Sequence, residues 1–275
     1  MTATVADAAA RTPAGGADQL RLLANEITKG LRLAGRRKGM IAVATGLNLM
    51  TYLGINVFIG GGHLITRLMT LTLPALLAVT LAQAVAINGS GGIAEEINGG
   101  TLEQTRLSPA SASLQATGRI VALALEGLLS AAVAGSVLVL WFGLDYTWHA
   151  AAVIPAALTV ADLLGYGLLI TALTLRVASI GAITHVFNMA IMVFGGMLVP
   201  VTVFSGPMEA VSHLIPSSLG VQAFNTTLAD GLGASWSDGT LPWLLVHAFV
   251  LVAAGFIAYG AALRRALREG ALSPR

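Results

Sequence analysis

Charge is scarce in this chain of 275 residues: Asp, Glu, Lys and Arg make up only 10%, and the lysines are two, Lys29 and Lys38. With 56% of residues hydrophobic and a mean hydropathy of +0.81, the composition excludes a water-solvated globule and implies a membrane protein. Cysteine is absent, which excludes disulfide frameworks, thiolate zinc sites, iron–sulfur clusters and covalently attached haem. No G-x-x-x-x-G-K-[ST] loop occurs, so the chain cannot cradle a nucleotide triphosphate and hydrolyse it alone. Neither H-E-x-x-H nor G-x-S-x-G is found, which removes local support for a metalloprotease or serine hydrolase.

What the chain has in abundance is apolar runs. A bilayer core of about 30 Å needs roughly 20 apolar residues at about 1.5 Å each. Six runs of that order are expected as spans, at about 40–59, 68–87, 120–142, 150–175, 180–204 and 241–263. They are uniformly apolar rather than alternating, which excludes a transmembrane barrel. The fold class is therefore all-α, with a six-span domain over 39–265 and a short tail over 266–275. Fourteen of the fifteen Lys and Arg fall in the termini and in the second and fourth connections. The three remaining connections hold only Arg67, beside Asp145, Glu209, Asp230 and Asp238. By the positive-inside rule both termini are expected in the cytoplasm, and the basic pI of about 9.3 reports orientation and contact with anionic lipid rather than nucleic acid binding. Thirty-nine mostly polar residues precede the first run, which reads as an uncleaved anchor rather than a signal peptide.

Residues 1–18 have no apolar period and read as a flexible tail. Over 19–38, Leu20, Leu23, Ile27, Leu31 and Ala34 recur at intervals of three and four, opposite Arg21, Asn25, Lys29, Arg32 and Arg36. This is the pattern of an amphipathic helix lying in the headgroup plane. The second connection reads NGSGGIAEEINGGTLEQTRLSPAS. Within it Ile93 to Ile97 suggests an acidic turn, Thr101 and Gln104 have capping-box spacing, and Ser108 before Pro109 suggests the start of the third helix. The fifth connection is long and carries apolar patches around Leu214, Leu219 and Phe224. Those patches predict a re-entrant or amphipathic helical pair on the outer side, bent in at Pro200.

The run EEINGGTLEQTRLSP resembles the conserved cytoplasmic segment of type 2 ABC exporter permeases, the family of the daunorubicin-resistance membrane subunits. The order of parts, from Leu20 to Leu263, is similar as well: a basic elbow helix, six spans, and a long proline-bearing outer connection after the fifth. Where members often carry an arginine after the equivalents of Ile215 and Pro216, this chain has Gln222, Ala223 and Phe224. The resemblance implies that cytoplasmic coupling helices between spans 2 and 3, over Ile93 to Leu107, dock in a cleft of a separate nucleotide-binding subunit. It assigns coupling to Glu95, Glu96, Thr101, Leu102, Glu103 and Arg106. It further implies two such subunits holding ATP and Mg, a second permease copy or related chain, a multi-pass position in a bacterial cell membrane, and export. No cofactor is expected on this chain.

Four ionisable residues fall inside expected spans: Glu126, Asp162, His185 and His247. Each is costly in hydrocarbon and should face protein or water, either lining a transport route or tying helices together. Glu126, Asp162 and His185 are the candidates for the route. An apolar interior with 6% aromatics suits a hydrophobic or amphipathic cargo, such as a drug, natural product or lipid. Export of a polysaccharide or lipid-linked glycan, and an ion- or proton-coupled carrier built on the intramembrane acids, are the alternatives.

Overall fold

The computed structural model describes residues 16–99, 111–147, 149–177 and 181–269, and it is helical with no strand among them. Eleven α-helices follow in order: α1 (Gly16–Arg36), α2 (Lys38–Ile59), α3 (Thr66–Gln83), α4 (Gly89–Asn98), α5 (Ala112–Phe142), α6 (Val153–Thr174), α7 (Gly181–Phe194), α8 (Pro207–His213), α9 (Ser218–Asp230), α10 (Leu232–Ser237) and α11 (Thr240–Glu269). Among the described residues, five helical stretches are long and apolar enough to cross a bilayer: Lys38–Ile59, Thr66–Ile97, Leu114–Phe142, Ala150–Thr174 and Thr240–Ala266.

The fifth expected span, 180–204, is α-helical among the described residues over α7, Gly181–Phe194, and not beyond Phe194. It stops because the chain turns at Gly195 and at Gly196, whose φ is +96°. Gly195, Gly196, Met197 and Val201 are nevertheless buried, so the irregular backbone after α7 is covered by protein rather than lipid. That is the condition under which non-helical backbone is tolerated at membrane depth.

α2 shows what surrounds the bundle. Its inward face is polar: Asn48 Nδ2 donates to Gln83 Oε1 at 2.8 Å, and the Tyr52 hydroxyl donates to the Met69 carbonyl at 2.7 Å. Thr45, Tyr52 and Asn56 are its buried residues, while Met40, Val43, Leu47, Met50 and Phe58 are exposed. This is the reverse of a helix on a water-soluble core. It is stable where the surroundings are as apolar as leucine and polar side chains must find partners inside.

α3 contains Pro74, which has no N–H to give to the carbonyl four residues earlier, that of Thr70. The orphaned oxygen is recovered from outside the helix: the Tyr146 hydroxyl, in the connection between α5 and α6, donates to it at 2.8 Å. Asn225 Nδ2 on α9 donates to the neighbouring Leu71 carbonyl at 2.9 Å. Burial pushes the Tyr146 pKa well above the usual phenol range, so the donor proton is held. Tyr146→Phe keeps the ring and leaves the Thr70 carbonyl unpaired. It is expected to lower stability by roughly 1–3 kcal/mol, read as a lower unfolding temperature in detergent.

α1 crosses α5 at two glycines. A Cβ on Gly30 would stand 2.4 Å from that of Ala122, and one on Gly118 would stand 2.5 Å from that of Glu26. The elbow helix is therefore seated on α5 with Ala34 buried, while Leu20 and Leu31 remain exposed to the surroundings. α6 and α11 are the most extensively packed helix pair among the described residues. α9 lies across the opposite end of the bundle, against α3, α6 and α11, with α8 and α10 beside it. The helices expected between the last two apolar segments are thus present, and Thr227 on α9 is joined to Ser235 on α10 by a 3.0 Å hydroxyl contact.

Candidate functional site

One end of the bundle gathers α1, α4, the start of α5 and the ends of α6 and α11. Ile93 of α4, Ala116 and Ile120 of α5, Leu175, and Tyr259, Ala262 and Ala266 of α11 form one buried apolar cluster there. The chain reaches this cluster without a break. α3 passes through a π-helical segment, Ala84–Asn88, straight into α4, so that a single rod runs from Thr66 to Asn98. The span expected to end at 87 therefore continues through Gly89, Gly91 and Gly92. Ile93 to Ile97, expected as an acidic turn, forms its last helical turns. Ile93 anchors those turns in the cluster, which outweighs the low helix propensity of the glycines.

The expected coupling residues separate at this point. Glu95 is exposed. Glu96 is half-buried and forms an ion pair with Arg119 of α5, so it fastens α4 to α5 rather than presenting an open carboxylate. Thr101, Leu102, Glu103 and Arg106 lie outside the described residues, as do Gln104, Ser108 and Pro109. The cap observed for α5 is Ser111, whose hydroxyl accepts from the Leu114 amide at 3.3 Å.

The π-helical segment places Asn88 where Nδ2 donates to Glu126 Oε1 on α5 at 2.9 Å. Glu126 is 7% exposed and lies within electrostatic reach of Arg37, at the α1–α2 corner. Glu26, Lys29, Arg37, Glu96, Arg119 and Glu126 surround a cavity of about 90 Å³ between α1, α4 and α5. Three carboxylates and three cations thus line one small cavity.

Asp162 sits elsewhere, and at 1% exposure it is enclosed by protein. Its Oδ1 meets His247 Nδ1 of α11 at 2.7 Å, and its Oδ2 accepts the Ser217 amide at 3.0 Å. Ser217 has a φ of +80°, a left-handed conformation unusual for a residue with a side chain, at the corner between α8 and α9. One carboxylate thus joins α6, α11 and that corner. The Ser217 hydroxyl itself has no hydrogen-bond partner among the described residues. His185 is exposed on α7, while Thr184 and Asn188 occupy its buried side. Glu126, Asp162 and His185 therefore have separate surroundings, and no three His, Asp or Glu converge on a metal-sized site among the described residues. His247 is legible in the sequence as an intramembrane ionisable group, but its pairing with Asp162 and the contact of Ser217 with the same carboxylate are not, because the partners stand 85 and 55 positions away.

Polar residues turned inward, apolar residues turned outward and five membrane-length helices define a multi-pass helical membrane protein. The sequence model of the ABC-2 type transporter family matches residues 27–228, nearly three quarters of the chain, and the chain belongs to that family as a membrane permease. The matched region runs from α1 into α9; α10 and α11 lie beyond it, although α11 is packed along α6. No curated protein matches the chain.

Proposed function

We propose that the chain is the membrane subunit of an ATP-driven exporter that moves a hydrophobic or amphipathic compound and is powered by a separate nucleotide-binding subunit. The observation that carries this reading, beside family membership, is the unbroken rod from Thr66 to Asn98. A helix transmits displacement along its axis, and this one links the polar core around Tyr52 and Met69 to exposed Glu95 at the basic end. Glu103 and Arg106 follow directly in sequence. In the proposal the basic end faces the cytoplasm, two motor subunits bind there, and a second permease copy completes the route. Nucleotide must favour one conformation in the motor, and the rod passes that preference to the membrane helices.

Two measurements test the assignment. Purified in mild detergent, the chain should bring with it a protein bearing a Walker A motif; its absence from a preparation that remains folded counts against the reading. Reversing charge at Glu95→Lys together with Glu103→Lys should reduce ATP-dependent export at least about ten-fold with membrane insertion intact, the loss of roughly 1.4 kcal/mol of docking energy. Glu96 is left native in that variant because its reversal would break the pair with Arg119. Undiminished export would overturn the coupling role. Because the chain has no cysteine, Glu103→Cys gives a single labelling site directly. Modification by an impermeant thiol reagent is expected only after the cytoplasmic side is opened.

A further inference from the structure

α7 leans on α3 and the π-helical segment, and it leaves a groove of about 330 Å³ between itself, α6 and α11. Its walls are apolar, formed by Leu169 and Leu173 of α6, Phe187 of α7 and Ala258 of α11. Two residues with polar ends border the groove as well. Tyr166 lines the groove at 4% exposure, and its hydroxyl has no hydrogen-bond partner among the described residues. Arg176, just past the end of α6, lines it too, is exposed, and makes no ion pair among the described residues.

A buried hydroxyl with nothing to bond is a destabilising feature that needs a partner. Its place relative to Arg176 says what kind. Eight further residues of helix, a rise of about 12 Å, and the turn after Thr174 separate them. Helical side chains lean toward the N-terminus, which carries the tyrosine away from Arg176, while an arginine at the helix end snorkels outward. The two polar groups therefore stand at least on the order of 12 Å apart along an apolar wall. A membrane phospholipid fits poorly, because its acyl chain has no hydrogen-bonding group at that depth beyond the headgroup. An elongated compound with an anionic group at one end and a hydroxyl or carbonyl at the other fits both.

We propose that the groove between α6, α7 and α11 is a binding site for a bipolar amphipath, with its anion on Arg176, its apolar body against Leu169, Leu173 and Phe187, and its far polar group on the Tyr166 hydroxyl. The site requires only that α6 and α11 lie in lipid. It does not depend on a motor subunit, so binding and ATP-driven export fail separately.

The test uses the full chain in zwitterionic nanodiscs, with ω-hydroxydodecanoate and dodecanoate as probes. The hydroxy acid should bind about five-fold more tightly than the plain acid, the worth of one hydrogen bond. Tyr166→Phe, which preserves the ring and the packing, should abolish that preference and leave dodecanoate binding unchanged. Arg176→Gln, at an exposed position, should weaken both probes about ten-fold or more. Equal binding of the two acids by the unaltered chain, or a preference that survives Tyr166→Phe, overturns the proposal. So does full displacement of the hydroxy acid by phosphatidylglycerol that is indifferent to Tyr166→Phe, since that result makes the groove a lipid site.

Discussion

Asp162→Ala is expected to be the most damaging single substitution within the membrane helices. It strips His247 Nδ1 of its partner and leaves the Ser217 amide unpaired in a place that neither water nor lipid headgroups reach. Removing one side of a buried polar pair costs roughly 3–5 kcal/mol. In a chain of this size that is a drop in unfolding temperature on the order of 10 °C. Asp162→Asn keeps the shape and one carbonyl oxygen, so it should lose about half as much. The same pair of variants separates the two roles open to an intramembrane acid. A tie predicts that export falls in step with the amount of folded protein, and that Asp162→Asn retains most of it. A route residue predicts a folded and stable Asp162→Asn protein that does not export, and that result would displace the structural account.

How much of this was legible beforehand follows from the range of the interactions concerned. Apolar runs are a local property, and five of the six expected spans coincide with membrane-length helices, the second of them extended. The amphipathic period of α1 and the apolar patches of the fifth connection are local too, and both became helices. In the fifth run hydropathy counts apolar residues without asking whether the backbone can stay helical throughout. Gly195 and Gly196 end the helix there, and buried irregular chain follows. The opposite difference lies at Ile93 to Ile97, where flanking glycines and the acids suggest a turn. Burial of Ile93 among residues from α5, α6 and α11 holds the segment in a helix, and that cluster is assembled from positions far apart in sequence.

The candidate site was readable only in kind. The intramembrane acids could be named from the cost of burying a charge, but their partners could not. Asn88 reaches Glu126 only because the π-helical segment alters the register of the rod, and nothing in the residues Ala84–Asn88 announces that change. Among the coupling residues, Glu95 and Glu96 are adjacent and chemically identical, yet they are on different sides of α4. One faces solvent and the other is taken up by Arg119.

Close helix contacts in lipid are built where small residues let two backbones approach. The α6–α11 contact is of this kind. A Cβ on Gly165 of α6 would stand 2.5 Å from the Leu251 carbonyl carbon and the Val252 amide of α11, and one on Gly255 would stand 2.8 Å from the Gly165 carbonyl oxygen. Backbone meets backbone there, so no side chain can swing aside. In lipid the helices gain little by hiding apolar surface from one another, and dispersion at such a contact carries much of their association. Gly165→Val must push α6 from α11 along the seam that also holds the Asp162–His247 tie. Overpacking alone costs about 1–3 kcal/mol, and the added strain on that tie places the expected loss at or above the top of this range. Gly54 of α2 supplies the control, because a Cβ there meets nothing within 4 Å. Gly54→Ala should be neutral or raise stability by up to about 1 kcal/mol through helix propensity alone. Thermal unfolding of both variants in the same detergent decides the matter. Equal behaviour of the two would mean that the α6–α11 contact is not what holds the bundle together.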